Sequence, residues 1–559
     1  MEYFIRIDYE KIFIRLSSIS YGASESEKLK YDTWGRLIEK SKNGVVSKFK
    51  YDHFGRLVEK VEGETFTKYA YDNYGKRLSR ITTKDGETLD EYNTYDKFGR
   101  LVKTQSNGKT VEYIYNKKNQ LAEQIIDGNK VVFEYTKLGQ LSGKTLLDKD
   151  GKTLSELKYF YSKSGKITSR LANGKLQEYK YDAKNQLLAV IDMESKSAVE
   201  EYVYDASGNI LKKTVNGKTT TYTYDAANQL VSSTNPEGDI TSYAYDAAGR
   251  LVKEGEKTYE YGWLDKVMRV AEDGKELARF EYHNNNQLAK VIRENGIETF
   301  EWDGLALIER SGTKYINEPH VGGGNPILAI GGDGQKNEAI FTDILGTSMG
   351  KVSGNGYSAI DKTSFGADTS DKSSFFTGKP YVEGLGYAFL FRNYRANMGK
   401  WLSADLIGYP DGWNNFAYCN NSILSCIDLY GAAGINYITN PTVSGIQSDS
   451  AIYSGGNVLV KDNTGYYVIA HGDKNGISNT PTSGYIDFNK IVSDIKNAPG
   501  YNDYDTIELI ACNTGEGDNS FAKKLAEALD KKVKAPTGEI VVHSNGLYYL
   551  KNGKYETYE

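Results

Sequence analysis

Four heptapeptides decide the fold: Tyr31-Asp-Thr-Trp-Gly-Arg-Leu37, Tyr51-Asp-His-Phe-Gly-Arg-Leu57, Tyr71-Asp-Asn-Tyr-Gly-Lys-Arg77 and Tyr95-Asp-Lys-Phe-Gly-Arg-Leu101. Degraded copies follow at Tyr115, Tyr135, Tyr161, Tyr181, Tyr204, Tyr224, Tyr245, Tyr261, Tyr282 and Trp302, fourteen in all, at a mean spacing of about 21 residues. Each copy reads as a hairpin. Glu201-Tyr-Val-Tyr204 alternates as a half-buried strand does, Asp205-Ala-Ser-Gly208 turns, and Asn209-Ile-Leu-Lys-Lys-Thr214 alternates again. The Gly or Asn four residues after the Tyr supplies the left-handed position of the turn, and the Asp can accept hydrogen bonds from turn amides. Second tight turns close many units, at Asn43-Gly44, Asn107-Gly108, Asp127-Gly128, Asn173-Gly174 and Asn216-Gly217. One hairpin is marginally stable in water, so the copies must pair edge to edge in a single sheet, and right-handed twist makes such a sheet coil. The repeated Tyr and Asp are read as packing and turn residues of a scaffold.

Composition agrees. Of 559 residues 45 are Tyr, 57 Gly and only 9 Pro, a balance that suits many short strands and turns and excludes collagen-like or Pro-rich disordered chains. Net charge is −5, so no global attraction to nucleic acid or an anionic membrane is expected. The three cysteines are too few for a disulfide framework; Cys419 and Cys426 read as buried structural thiols. No uninterrupted apolar run marks a secretory signal at Met1-Glu-Tyr-Phe-Ile-Arg-Ile-Asp8, and no window is long enough for a membrane span. Because the chain opens almost directly into repeats, a truncated product is one expectation.

The array resembles the YD-repeat region of Rhs proteins, relatives of the shells of insecticidal Tc toxins and of teneurins. That resemblance implies a hollow shell around a variable C-terminal payload, secreted or held at the cell surface, with an immunity protein and a secretion apparatus as partners. It divides the chain into a lead-in (1–28), a YD-repeat β shell (29–314), a core (315–431) and a C-terminal effector (432–559). The fold class expected is mainly β, a coiled YD-repeat sheet followed by a small α/β domain.

After Trp302 the period stops and Gly accumulates, as in His320-Val-Gly-Gly-Gly-Asn-Pro326. Phe391-Arg-Asn-Tyr-Arg-Ala-Asn-Met-Gly-Lys-Trp401, Asp405-Leu-Ile-Gly408 and Asp428-Leu-Tyr-Gly431 then resemble the Rhs repeat-associated core, whose two Asp-Pro-x-Gly boxes form an aspartyl-type site that cuts just after the second box. By position the aspartates are Asp405 and Asp428, with the cut expected shortly after Gly431. Two adjoining carboxylates cannot both ionise cheaply, so one keeps a proton and the pair can serve as acid and base. Leu stands where the family has Pro, which frees the backbone and makes the aspartates less securely placed. The alternative reads both as turn residues.

From residue 432 a new pattern begins. Strands Asn457-Val-Leu-Val460, Tyr466-Tyr-Val-Ile-Ala470 and Thr506-Ile-Glu-Leu-Ile-Ala511 alternate with helices starting from Asp487, as N-cap, and about Asn519, which predicts an α/β domain with a parallel sheet and a terminal hairpin around Ser544-Asn-Gly546. One strand runs into His471-Gly472 and another into Cys512-Asn-Thr-Gly515, and in open α/β sheets sites form beyond the carboxyl ends of strands. The pair resembles clan CD cysteine peptidases, which implies Cys512 as nucleophile and His471 as general base or acid on a protein substrate in a target cell. Gly472 and the turn amides from Asn513 onward can supply an oxyanion hole. His543 reads as solvated. A chance juxtaposition of a turn His and a buried Cys is the competing reading.

Other payload classes fit less well. A zinc deaminase needs more cysteines than this segment's one. With 11 Lys, no Arg and 15 Asp+Glu the tail is acidic and poorly suited to gripping phosphates. No cofactor, metal or nucleic acid is therefore expected. The non-enzymatic alternative is a YD-repeat cell-surface or contact-mediating protein with a passive α/β cap.

Overall fold

The computed structural model describes residues 5–9, 16–21, 25–42, 44–163, 165–318, 324–331, 336–354, 356–367, 374–405, 414–432, 466–469, 471–473, 476–478, 488–496, 506–510, 514, 520–537, 540–542, 548–550 and 554–558. The expected mainly β class holds. A 35-stranded sheet runs from Ile5–Tyr9 to Gly356–Ala359. Its strands pair antiparallel with the strands before and after them in sequence, one uninterrupted meander.

The repeat's residue types explain its geometry. In the first complete copy Asp32 Oδ1 accepts from the Trp34 and Arg36 amides, both at 2.9 Å, and Oδ2 accepts from Arg36 Nε at 2.6 Å. The turn is thereby closed by its own side chain. Gly35 takes φ 86°, and Asn119, Asn185, Asn228 and Asn286 hold the same left-handed position in later copies. Arg36 also reaches forward: Nη1 donates to the Asp52 carbonyl at 2.9 Å while the guanidinium lies 5.0 Å from the Tyr51 ring. A bulge precedes each Tyr, as at Lys30/Tyr31 and Lys50/Tyr51. The Tyr hydroxyl then donates to a carbonyl of the preceding hairpin: Tyr51 to Leu37, Tyr71 to Leu57, Tyr135 to Leu121 and Tyr224 to Ile210, at 2.8–2.9 Å. Trp302 keeps that rung with its indole, Nε1 donating to Leu288 at 2.7 Å.

The hairpin architecture does not stop where the Tyr period does. Six more strands follow Trp302, from Ala306–Arg310 to Gly356–Ala359. Asp343 closes a turn of the repeat's kind, its Oδ1 accepting from Leu345 and Thr347 amides at 2.9 and 2.8 Å. The hairpins thus continue past the last copy of the Tyr period at Trp302. Pro326–Ile330 is buried at every residue, so alternation is lost through burial of both faces.

The meander returns on itself. Lys42 meets Asn286, 244 residues later, and Lys144 meets Thr342, 198 residues later. Between these, Arg77 pairs with Asp303 at 2.6 Å and the Asn284 amide donates to Glu62 Oε1 at 2.8 Å. The core segment packs its aromatic residues on the sheet. Phe376, Tyr387, Tyr394, Trp401 and Tyr418 form one ring cluster, continuous with Tyr202, Tyr222 and Leu230 of the repeats.

The tail is a small α/β unit. Tyr466–Ile469 and Thr506–Ile510 are parallel neighbours and Thr506–Ile510 and Lys532–Pro536 are parallel too, as expected, while Tyr555–Tyr558 closes the edge antiparallel and makes the sheet mixed. Helices Phe488–Lys496 and Phe521–Leu529 cover it with Ile491, Ile495, Phe521, Leu525 and Leu529. The second helix, expected from about residue 519, is capped by Ser520, whose Oγ accepts from the Lys523 amide at 3.3 Å. Ile540–Val542 pairs with Tyr548–Leu550 as the expected terminal hairpin. The strand expected at 457–460, and Asp487, Asn519 and His543, lie outside the described residues. No helix among the described residues is long and apolar enough to cross a membrane.

Candidate functional site

The two box aspartates converge on one side chain. Arg392 follows a reversal in which the Phe389 amide donates to the Arg392 carbonyl at 3.1 Å, and its guanidinium lies 4.2 Å from the Trp401 ring. Arg392 Nη2 is 2.6 Å from Asp405 Oδ2 and 3.5 Å from Asp428 Oδ2. Nη1 donates to the Asn415 carbonyl at 2.9 Å, and Nε donates to the Gly431 carbonyl at 2.5 Å. All three charged side chains are buried, Arg392 to 2% exposure.

Each carboxylate is positioned by backbone. Leu251 donates to the Leu402 carbonyl and Ala404 to the Gly249 carbonyl, both at 3.0 Å, which fastens the strap before Asp405 to a repeat turn. Asp428 Oδ1 accepts from the Tyr430, Gly431 and Ala432 amides at 3.1, 2.7 and 3.3 Å, and the Asp428 amide donates to the Tyr418 hydroxyl at 3.3 Å. Leu429, in the family's Pro position, is buried with Phe391 and Tyr430. The expectation of a loosely held aspartate is thus corrected for Asp428: three amides and an apolar anchor fix it without proline. Leu406 lies outside the described residues. A guanidinium between two carboxylates offsets their repulsion directly.

The peptide bond after Gly431 is bracketed by this group. Its carbonyl receives Arg392 Nε and its amide, on Ala432, faces Asp428 Oδ1. Gly431 has φ 75°, and a Cβ there would stand 3.0 Å from Phe389 and 3.1 Å from the Arg392 amide, so only glycine suits the position. Lys379 is buried nearby; desolvation pulls its ammonium down to about 8 against the attraction of Asp428. The sequence reading placed both aspartates but missed Arg392. Its signal was a cation set among aromatic residues, Phe389-Leu-Phe-Arg-Asn-Tyr394, upstream of two carboxylates that needed one.

The cysteines differ from expectation. Cys419 is half-buried and Cys426 is exposed, because Cys426 sits past the turns at Ser422 and Ser425 rather than on a core strand.

In the tail, Ile469 pairs with Ile510 across the parallel strands. His471–Asp473 is a separate short strand paired with Gly476–Ser478, Gly472 lying opposite Ile477. Cys512 and Asn513 lie outside the described residues. No cluster of metal-ligating side chains occurs among the described residues.

Comparison with known proteins adds two family matches: Teneurin YD-shell over residues 145–300, and a domain of unknown function, DUF8616, over residues 439–550. The putative uncharacterized protein YibJ of Escherichia coli (strain K12) is 29% identical over 148 residues, 26% of this chain and 58% of that protein. The Tc holotoxin pore of Photorhabdus luminescens aligns at 14% identity and TM-score 0.39 over 76% of this chain and 29% of its own, and the TcdB2-TccC3 crystal structure at 15% and 0.37 over 72% and 29%. The chain thus spans under two thirds of the curated relative and under a third of these toxin chains. Taken with the Tyr-Asp hairpins and their carbonyl rungs, the Teneurin YD-shell match over residues 145–300 supports a YD-repeat shell in this chain.

Proposed function

We propose that this chain is a toxin of the YD-repeat type that cuts itself at the Gly431–Ala432 bond and frees residues 432–559 as an α/β effector with cysteine-protease chemistry. The observation that carries the reading is the convergence of Asp405, Asp428 and the Gly431 carbonyl on Arg392. Water adds to the Gly431 carbonyl carbon while Arg392 Nε holds the oxygen that becomes negative. One carboxylate takes the water proton. A proton returned from the pair to the Ala432 nitrogen, which already faces Asp428, lets the C–N bond break. The shell's part is containment of the payload until delivery outside the producing cell, with an immunity protein protecting the producer.

Intact mass of the purified full chain tests the cut. The wild type is expected to split after Gly431, and Asp405→Asn and Asp428→Asn to stay whole; an Asp428→Asn chain giving the same fragment removes the assignment. For the effector, the parallel pairing of Ile469 with Ile510 supports the dyad, since His471 and Cys512 follow those strands. Full chains carrying Cys512→Ala or His471→Ala should lose toxicity to a bacterial host while still folding. Growth arrest as strong as the wild type's would leave the non-enzymatic contact protein as the better reading.

A further inference from the structure

Large rings stand at the tips of the first repeat turns. Trp34, Phe54, Tyr74 and Phe98 each lie two residues after the repeat Asp and are 78%, 62%, 91% and 71% exposed, and Leu138, at the same place in a later copy, is 86% exposed. Because the sheet is a meander of neighbour-paired strands, these turns all leave one edge of it, and consecutive turns are two strands apart, about 9–10 Å. The turn itself does not require a ring. Ala248 fills the position in the copy at Tyr245, and its amide donates to Asp246 Oδ1 at 3.0 Å as that of Phe54 donates to Asp52 Oδ1 at 2.9 Å. Nor does the Arg–Asp clamp: Arg250 Nε donates to Asp246 Oδ2 at 2.7 Å beside Ala248, the same distance as Arg56 to Asp52 beside Phe54. Apolar area this exposed, and not needed by the turn, marks a contact surface. Charge divides the two edges. Lys97, Lys117, Lys118, Lys137 and Lys163 are exposed along this row, and the two tip residues of the copies from Tyr31 to Tyr161 include no acid. Turns of the opposite edge carry Glu64, Asp85, Glu87, Asp127 and Asp150, exposed as well. A chain of net charge −5 thus presents one edge that is basic and aromatic.

We propose that this edge, from Trp34 to Leu138, docks the repeat sheet on the surface of an anionic lipid bilayer. Aromatic rings at the turn tips settle at headgroup depth, their apolar area out of water, while the lysines beside them meet the lipid phosphates. The surroundings of the rings favour lipid over a stacked ligand. A nucleobase or a sugar stacks on free ring faces, and guanidinium groups lie over three of these rings, Arg36 4.8 Å from Trp34, Arg56 4.9 Å from Phe54 and Arg100 5.1 Å from Phe98. The same groups are held by Asp32, Asp52 and Asp96 at 2.6, 2.7 and 2.5 Å, so the charge left for phosphates is that of the lysines. The edge lies wholly in the repeats, and the inference is therefore independent of the cut after Gly431 and of the dyad.

The test is flotation of the full chain with vesicles of phosphatidylcholine and phosphatidylglycerol in equal parts, beside vesicles of phosphatidylcholine alone, the band that contains the repeats being read. The wild type is expected to bind the mixed vesicles at least about tenfold more than the neutral ones, and less at high salt. Lys97→Gln, Lys117→Gln, Lys118→Gln and Lys137→Gln combined should lower that binding about tenfold. Trp34→Ser, Phe54→Ser, Tyr74→Ser and Phe98→Ser combined should abolish it while the chain still unfolds cooperatively on heating. Brominated acyl chains give an independent reading, which decides with the lysine variant if the four-ring variant does not fold. They should quench part of the tryptophan emission of the bound wild type, and that part should be missing from a Trp34→Phe chain that still floats. A wild type that does not float, that floats equally with both vesicles, that keeps its binding without the four lysines, or that leaves vesicles alone while taking up dextran sulfate or an oligonucleotide overturns the proposal.

Discussion

At the scale of the residue, a guanidinium 2% exposed that touches two carboxylates, two backbone carbonyls and an indole face governs the stability of the core and, in the proposed cut, its chemistry. Arg392→Met would leave Asp405 and Asp428 buried without a counter-charge, and by the usual cost of breaking a buried pair it should lower stability by about 3–5 kcal/mol. Adding Asp405→Asn to that variant should recover part of the loss in a denaturant titration, since one stranded charge disappears. Arg392→Lys tests the chemistry: a single ammonium cannot hold both carboxylates and the Gly431 carbonyl, so fragment release should slow at least tenfold in a time course. A second buried cation gives the molecule a pH response. Lys400 donates to Asn209 Oδ1 at 2.7 Å and to the Asn228 carbonyl at 3.0 Å, and desolvation pulls its ammonium down to about 7 against the nearby Asp205 and Asp225. Above that value the folded chain has released a proton that the unfolded chain keeps until about 10.4, so stability rises with pH across this window. Lys379, at about 8, acts in the same direction. The denaturation midpoint should therefore be higher at pH 9 than at pH 7, and Lys400→Met should flatten that rise by about 2 kcal/mol.

At the scale of the element, the hairpin is defined by a capped turn and a rung. The rung needs a donor on an aromatic body and not tyrosine as such, because Trp302 supplies it through Nε1. Trp302→Tyr should be nearly neutral, whereas Trp302→Phe should cost about 1 kcal/mol by leaving the Leu288 carbonyl without its partner; parallel thermal unfolding of the two variants separates these outcomes. Tyr181→Phe, which removes the 2.7 Å bond to Ile167, should match the phenylalanine result. The turns were legible in the sequence because their signals are local: Asp32 caps amides two and four residues on, and Asn119, Asn185 and Asn228 stand in a conformation few side chains tolerate. The strands after Trp302 were illegible as repeats because Pro326–Ile330 is covered on both faces and keeps no alternation. In the core the carboxylates were found by resemblance and the guanidinium was not, since its partners at residues 405, 415, 428 and 431 meet it only through tertiary packing.

At the scale of the whole molecule, the meander is held in its curve by contacts between early and late strands. Asp303 is the most exposed to test: Arg77 Nη2 lies 2.6 Å and Arg80 Nε 3.4 Å from its Oδ2, with the Arg80 side chain 2% exposed. Asp303→Ala should leave the buried Arg80 and the partly exposed Arg77 with Glu91 as their remaining carboxylate, lower stability by about 1–3 kcal/mol, and speed amide exchange in 77–91 and 296–303 together while leaving 175–224 protected. Exchange confined to the mutated strand would mean that the curve persists without this closure. The neighbour-only pairing of the sheet also sets how such a chain can be made. Because each strand needs only the one just synthesised, hairpins can add to the growing sheet one at a time as they leave the ribosome, with little loop-closure entropy per step. Only the late contacts, such as Arg77 with Asp303, wait for some two hundred residues of further synthesis. The order of synthesis is then the order of assembly, and Arg392, Asp405 and Asp428 come together after the repeats they rest on have formed, which delays any cut until the scaffold is complete.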